Sequence, residues 1–203
     1  MKQFIKKRWP WIMVACILAI VLVLLSVRRG KVPAINEPTL TVETPQKLSA
    51  SQTEAFSLDV TISALGDARY PAMSMSLSFD SSRLEFLGVE EGNLFILSNE
   101  NSTGQQLPDW SCNVQNSNDT GLINIMYLDM TGGKNAFTKA LLAEEHHVVL
   151  RLKFRLRGSV RPGDVLDLIV EDAVFAASDE TQSLAVTTNT LKVKNGRLVI
   201  GES

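Results

Sequence analysis

Cysteine is nearly missing from this chain of 203 residues, which holds only Cys16 and Cys112. Cys16 lies inside a long apolar run, so a bridge between the two is implausible and the fold must hold without disulfides. A domain of roughly 160 residues can bury enough core for that. Cys112, in W-S-C-N-V, alternates with Trp110 and Val114 and is read as core packing. Histidine is just as scarce, with one adjacent pair, His146-His147. Adjacent strand residues point to opposite faces, so the pair cannot chelate one metal, and no metal site is expected. No P-loop, G-x-G-x-x-G or Ser/His/Asp arrangement occurs, so neither a cofactor nor an enzyme is expected. Glu90-Glu91 and Asp179-Glu180 are sequence neighbours, whereas glycoside hydrolysis needs carboxyls facing each other across a cleft. Aromatics total 13, and most alternate toward a core or lie in the N-terminal apolar segment. No internal repeat and no low-complexity tract is evident.

Acid is missing from residues 1–31, which carry seven Lys/Arg. The remainder therefore holds 13 basic and 22 acidic residues, a net charge of −9. Such a domain lacks the clustered positive charge that nucleic acid requires. Lys2, Lys6, Lys7 and Arg8 precede the uncharged run 9–27, which Arg28, Arg29 and Lys31 close. Residues 11–27 would span about 25 Å as a helix, just enough for a bilayer core. A cleaved signal peptide would want a shorter apolar region and a small-x-small site, but here charges stand where cleavage should occur. Cys16 also comes too early for a lipoprotein box. The expected organisation is a cytoplasmic basic stub and transmembrane helix over 1–29, a linker over 30–40 containing Pro33 and Pro38, and one domain over 41–203. Positive charge flanks both ends of the span, so the positive-inside rule is weak here. The acidic, β-rich remainder suits translocation. The expectation is a single-pass plasma-membrane protein with a cytoplasmic N-terminus and an extracellular domain.

From Thr41 onward the pattern is β. Met73, Met75, Leu77 and Phe79 alternate with Ser74, Ser76 and Ser78, which makes a half-buried strand with one oily and one hydroxyl face. Asp80 to Arg83 is turn chemistry, and a second strand follows from Leu84 until Gly92-Asn93 ends it. Phe56, Leu58, Val60 and Ile62 alternate in the same way. Further strands are predicted at 110–114, 122–129, 148–157, 166–170, 174–176, 184–187, 191–193 and 198–200. A polar loop covers 95–109, and Asn116–Gly121 reads as a hairpin turn rather than a calcium loop, since Tyr127 stands where the bidentate Glu belongs. One helix is predicted from an N-cap at Thr138. Short strands spaced by turns every 8–12 residues indicate a β-sandwich.

Two faces carry candidate binding chemistry. Arg151, Lys153, Arg155 and Arg157 form a basic row, either the wet face of a sheet or a contact for anionic polymer or headgroups. In the strand at 122–129, Leu122, Asn124, Met126 and Leu128 face outward if Ile123, Ile125 and Tyr127 face the core. That outward row is either a protein-binding patch or a strand covered by loops.

At this point the chain resembles the cohesin domain family. L-S-F-D-S-S-R-L-E-F-L-G-V-E-E-G-N-L over 77–94 is similar to the family's aromatic-Asp-Pro turn with its following Leu-Glu and downstream Gly. Y-L-D-M-T-G-G-K-N-A-F-T over 127–138 resembles its acidic, glycine-rich turn stretch. V-E-D-A-V-F-A-A-S-D-E and V-K-N-G-R-L-V-I resemble its last strands. The likeness covers roughly 41–201. It departs at Ser81, where the family has Pro, in an insertion over 140–147, and in a contacting strand built of Ser and Ala. The resemblance implies an all-β jelly-roll sandwich of about nine strands, preceded here by the transmembrane helix. It implies no catalysis, a dockerin-type partner that carries any calcium, and binding through one sheet face. By the same resemblance, that face would include Ser74, Ser76, Asn124, Met126, Leu128, Asp129 and Gly132. The alternative is a polysaccharide-binding module of related jelly-roll fold, a class that displays a planar row of exposed aromatics.

Overall fold

The structure is a computed structural model that describes residues 37–94, 110–143 and 147–202. The predicted membrane span, the polar loop at 95–109 and His146 lie outside the described residues. Among the described residues no helix is long and apolar enough to cross a membrane.

Alternating sequence produces strands over most of its predicted extent, and among the described residues twelve are present. They are β1 (Thr39–Val42), β2 (Leu48–Ser49), β3 (Phe56–Ile62), β4 (Ala72–Ser78), β5 (Leu84–Glu91), β6 (Ser111–Cys112), β7 (Leu122–Leu128), β8 (Val148–Leu156), β9 (Val165–Ala176), β10 (Leu184–Ala185), β11 (Lys192–Lys194) and β12 (Gly196–Gly201). The expectation was about nine. β2, a two-residue segment too short to show a period, is not anticipated in the sequence, and β6 and β10 are the two-residue cores of the strands predicted at 110–114 and 184–187. One sheet has the order β11-β1-β3-β8-β5, and the other β2-β12-β9-β4-β7-β6 with β10 on β9. The inward residues of both sheets meet in one core, with Leu58, Val60, Leu152 and Phe154 from the first and Met73, Leu77, Ile123 and Leu168 from the second all buried. At about 25 cal/mol per Å² of apolar surface, this core supplies the main stabilising term.

Three sequence expectations fail for identifiable reasons. Asn116–Gly121 is not a hairpin turn. Residues Val114–Thr120 form a helix, α1, and Val114 belongs to it rather than to a strand. The Asn113 side chain accepts from the Asn116 amide at 3.0 Å, and Gly121 closes the helix with φ 71°. The predicted helix at Thr138 is only a 3₁₀ turn over Lys139–Leu141, because the Thr138 side chain makes no capping bond. The strands predicted at 166–170 and 174–176 are one strand, β9. Opposite it, Ser76 pairs with Asp172 while Leu77 pairs with Val170, so Glu171 is an extra residue. Such a bulge reverses the alternation within a continuous strand.

The α1 helix has a structural task, which is to close the outer edge of β5. The Asn118 side chain accepts from the Phe86 amide at 2.8 Å and donates to the Phe86 carbonyl at 2.8 Å. It also donates to the Val114 carbonyl at 3.0 Å. A side-chain amide thus stands in for a neighbouring strand on an edge that would otherwise be open to pairing with another chain. Asn118→Ala leaves two backbone groups of β5 without their partners, at about 1–3 kcal/mol each. The expected result in urea is a midpoint about 1–2 M lower with an unchanged slope. A shift below about 0.3 M means that water replaces the amide without loss.

Candidate protein-binding face

The second sheet presents its outer side through β6, β7, β4 and β9 in that order. Parity in β7 is as the sequence predicted. Ile123, Ile125 and Tyr127 are buried, and Met126 and Leu128 are each 55% exposed. Met130, just beyond the strand, is 84% exposed. Antiparallel pairing assembles the face row by row. Ser111, Met126, Ser74 and Val174 lie side by side, then Asn124, Ser76 and Asp172, then Leu128, Ala72 and Ala176. Ser74, Ser76, Asn124, Met126 and Leu128 are therefore brought together on two adjacent strands, β4 and β7, about 4.8 Å apart. A shallow concavity of about 380 Å³ is lined by Ser74, Ser76, Ser111, Asn113, Asn124 and Met126. The Ser76 hydroxyl donates to Asn124 Oδ1 at 2.8 Å, and the Ser78 hydroxyl donates to Glu171 Oε1 at 2.6 Å.

Asp129 and Gly132 lie past the end of β7, in the turn that leads away from the face. The Asp129 amide donates to the Pro71 carbonyl at 2.6 Å, and its Oδ1 accepts from the Thr131 amide at 2.7 Å and from the Thr131 hydroxyl. Burial pushes this carboxyl up, but the hydrogen bonds led by Thr131 outweigh it and hold it below the usual carboxylate range. Asp129 thus shapes the turn. Gly132 stands at φ 72°, a backbone region costly for other residues, with open space where a side chain would go. Beneath the face, the Tyr127 hydroxyl donates to the Asn135 carbonyl at 2.8 Å, and burial followed by the Asp129 charge pushes its pKa up to about 12. Trp110 packs on Tyr127 and Phe137 with ring centres 5.4 and 6.3 Å apart. Cys112 packs against the core, and burial raises its thiol pKa.

The opposite sheet differs in character. Arg151 bonds Asp59 at 2.9 Å, Lys153 bonds Glu90 at 2.6 Å and Arg155 bonds Glu85 at 3.3 Å. Arg157 donates to the Leu84 carbonyl at 3.3 Å. The basic row is thus a wet sheet face laced by cross-strand pairs. Glu90 sits below its usual pKa because of the Lys153 hydrogen bond, with Ser57 adding to it. Asp179 accepts from the Thr181 amide and hydroxyl and caps a 3₁₀ turn, so neither acid pair is arranged for catalysis. His147 lines a shallow concavity on this sheet with Thr41, Glu43, Thr61 and Lys194. Among the described residues no group of three His, Cys, Asp or Glu could hold a metal ion.

Sequence reasoning missed two contributors to the face, Ser111 and the bulged pair Glu171-Asp172. The one available signal was the break in alternation at V-E-D-A, which read as the end of a strand.

Comparison with known proteins rests on this geometry. Residues 40–194 match the cohesin domain family. No curated protein matches the chain. Among solved structures, the OlpA cohesin in a type I cohesin–dockerin complex from Clostridium thermocellum superimposes with a TM-score of 0.57 and 16% identity, over 81% of this chain and 99% of that one. The third ScaC cohesin of Acetivibrio cellulolyticus, solved with the ScaB dockerin, gives 0.55 and 12% over 81% and 99%. A non-cellulosomal cohesin from the archaeon Archaeoglobus fulgidus gives 0.52 and 16% over 81% and 91%. The all-β two-sheet fold and the match across most of the chain agree, and this chain belongs to the cohesin domain family.

Proposed function

We propose that this chain is a non-catalytic docking module that holds a dockerin-type protein at a membrane surface. The observation that carries the reading is the solvent-facing pair Met126 and Leu128 beside Ser74, Ser76 and Asn124. Large exposed apolar side chains grouped on a flat sheet face mark protein contact. Asp129 and Gly132 complete the proposed contact set by fixing the turn at its rim. Residues 1–29 serve as the anchor and the residues from 30 to the start of β1 at Thr39 as the linker, with the N-terminus cytoplasmic and the domain outside. Any calcium belongs to the partner. Polysaccharide has little to stack on here, because the exposed large apolar side chains among the described residues are Met126, Leu128, Met130, Val165 and Ile169, none of them aromatic.

One flotation experiment tests both halves. The full chain, reconstituted into lipid vesicles, is mixed with soluble recombinant dockerin modules loaded with calcium and floated through a density gradient. The expected result is a chain that floats and carries at least one dockerin with it, and a dockerin that is released by EDTA. A chain left at the bottom overturns the anchor. A chain that floats without any dockerin of a broad panel overturns the partner class.

A further inference from the structure

We propose that the outer face of the first sheet holds a second binding site, for a small zwitterion of the amino-acid class. Lys194 meets the carboxylate of the ligand, Glu43 meets its ammonium, and an aliphatic side chain lies against Leu142. The site is on the sheet opposite the docking face and does not rest on the docking reading. A concavity of about 500 Å³ opens there over β11, β1 and β3, within the size range of small-molecule sites.

Strand register builds its floor. Lys194 pairs with Thr41 across β11 and β1, and Thr41 pairs with Thr61 across β1 and β3, so three outward side chains form one row. Glu43 follows two residues beyond Thr41 on the same side, where its Oε1 accepts from the Thr61 hydroxyl at 3.2 Å. Thr61 faces outward yet is only 7% exposed, so the floor is sheltered rather than flat. One wall is the segment that leaves the 3₁₀ turn, Leu142 and Ala143, with His147 beside it. This wall lies in 140–147, where the sequence departs from the cohesin pattern.

The charges select the ligand. Along β8 opposite charges are already paired, Arg151 with Asp59, Lys153 with Glu90 and Arg155 with Glu85. In the concavity they are held apart. Among the described residues Lys194 forms no ion pair, and the Glu43 carboxylate accepts only the Thr61 hydroxyl. One step across the sheet and two along the strand put the Lys194 and Glu43 backbones about 8 Å apart, close enough for one small molecule to reach both side chains. A ligand of single charge would serve one of them and cover the other, and covering an uncompensated charge is costly. A zwitterion serves both, with the Thr41 hydroxyl between them and Leu142 left for the aliphatic part.

The test is equilibrium dialysis of radiolabelled L-leucine against the full chain in detergent micelles. The competitors are N-acetyl-leucine, which lacks the ammonium, leucinamide, which lacks the carboxylate, and glycine, which lacks the aliphatic side chain. Leucine should bind with a Kd of about 1 mM or tighter, and each competitor should be weaker than unlabelled leucine, the two blocked forms by at least about tenfold. Lys194→Ala and Glu43→Gln should each lose about tenfold in leucine affinity with an unchanged melting temperature. Their selectivity should split. Lys194→Ala should no longer separate leucine from leucinamide while still rejecting N-acetyl-leucine, and Glu43→Gln should do the reverse. No saturable leucine binding up to about 10 mM overturns the proposal. Competition by any of the three analogues equal to that of leucine itself overturns it as well. Wild-type affinity in both variants would place the binding elsewhere on the chain and likewise sink it.

Discussion

Met126→Asp should weaken capture of a dockerin by at least about a hundredfold while leaving the domain folded. Met126 is more than half exposed and projects from β7 between Ser74 and Ser111. The free domain therefore hydrates a new carboxylate easily, and the melting temperature should move by no more than about a degree or two. The complex does not hydrate it. A carboxylate buried in an interface without a counter-ion costs about 3–5 kcal/mol, and each 1.4 kcal/mol is tenfold in Kd. Lys153→Asp is the control. Lys153 lies on the opposite sheet, paired with Glu90 at 2.6 Å, and both side chains are about 40% exposed. Its loss should cost stability no more than about 1 kcal/mol and should leave Kd unchanged. Loss of capture in Lys153→Asp with retention in Met126→Asp would move the site to the other sheet.

The sequence was most legible where one face of a strand is wet and the other dry. In β4 and β7 each residue has one environment, so a period of two survives unbroken from Ala72 to Ser78 and from Leu122 to Leu128. This is why the outward set Ser74, Ser76, Asn124, Met126 and Leu128 is legible in the sequence alone. Legibility failed where the backbone changes phase. The extra Glu171 in β9 inverts the parity, so one strand of twelve residues looked like two. A similar shift lies in β5, where Phe86 pairs with Phe154 and Gly88 with Lys153, and Gly88 takes φ 139°, which other residues rarely adopt. Helix α1 was hidden for another reason. Asn, Ser, Asp and Thr are poor helix formers whose side chains favour turns, and N-S-N-D-T-G reads as a turn on propensity alone. The context overrides propensity through the Asn113 cap, the Gly121 stop and the tertiary bonds of Asn118 to β5. In β9 that break also turns Glu171 and Asp172 to the outer side.

Phe154→Ala should be the most destabilising single change in the core of the first sheet. Phe154 is fully buried on β8, which pairs with β3 on one side and β5 on the other. Its ring centre lies 5.5 Å from Phe86 and 5.5 Å from Phe79, and 6.4 Å from Phe56. Phe79 follows directly on β4 of the second sheet, so the ring at 154 ties the two layers together. Truncation removes about 3–5 kcal/mol, the apolar transfer term plus the unfilled cavity, from a total stability of about 5–15 kcal/mol. For a domain of this size that lowers the melting temperature by about 6–20 °C. Phe154→Leu keeps most of the volume and should cost less than half as much. Phe56 is only partly buried at the margin of the cluster, so Phe56→Ala should also cost less. Binding supplies a second readout. The docking face is on the other sheet, so whatever fraction of Phe154→Ala remains folded should bind a dockerin with the wild-type Kd. A loss below about 1 kcal/mol would show that the rings collapse into the gap. A changed Kd in the folded fraction would show that the outer face depends on the packing beneath it.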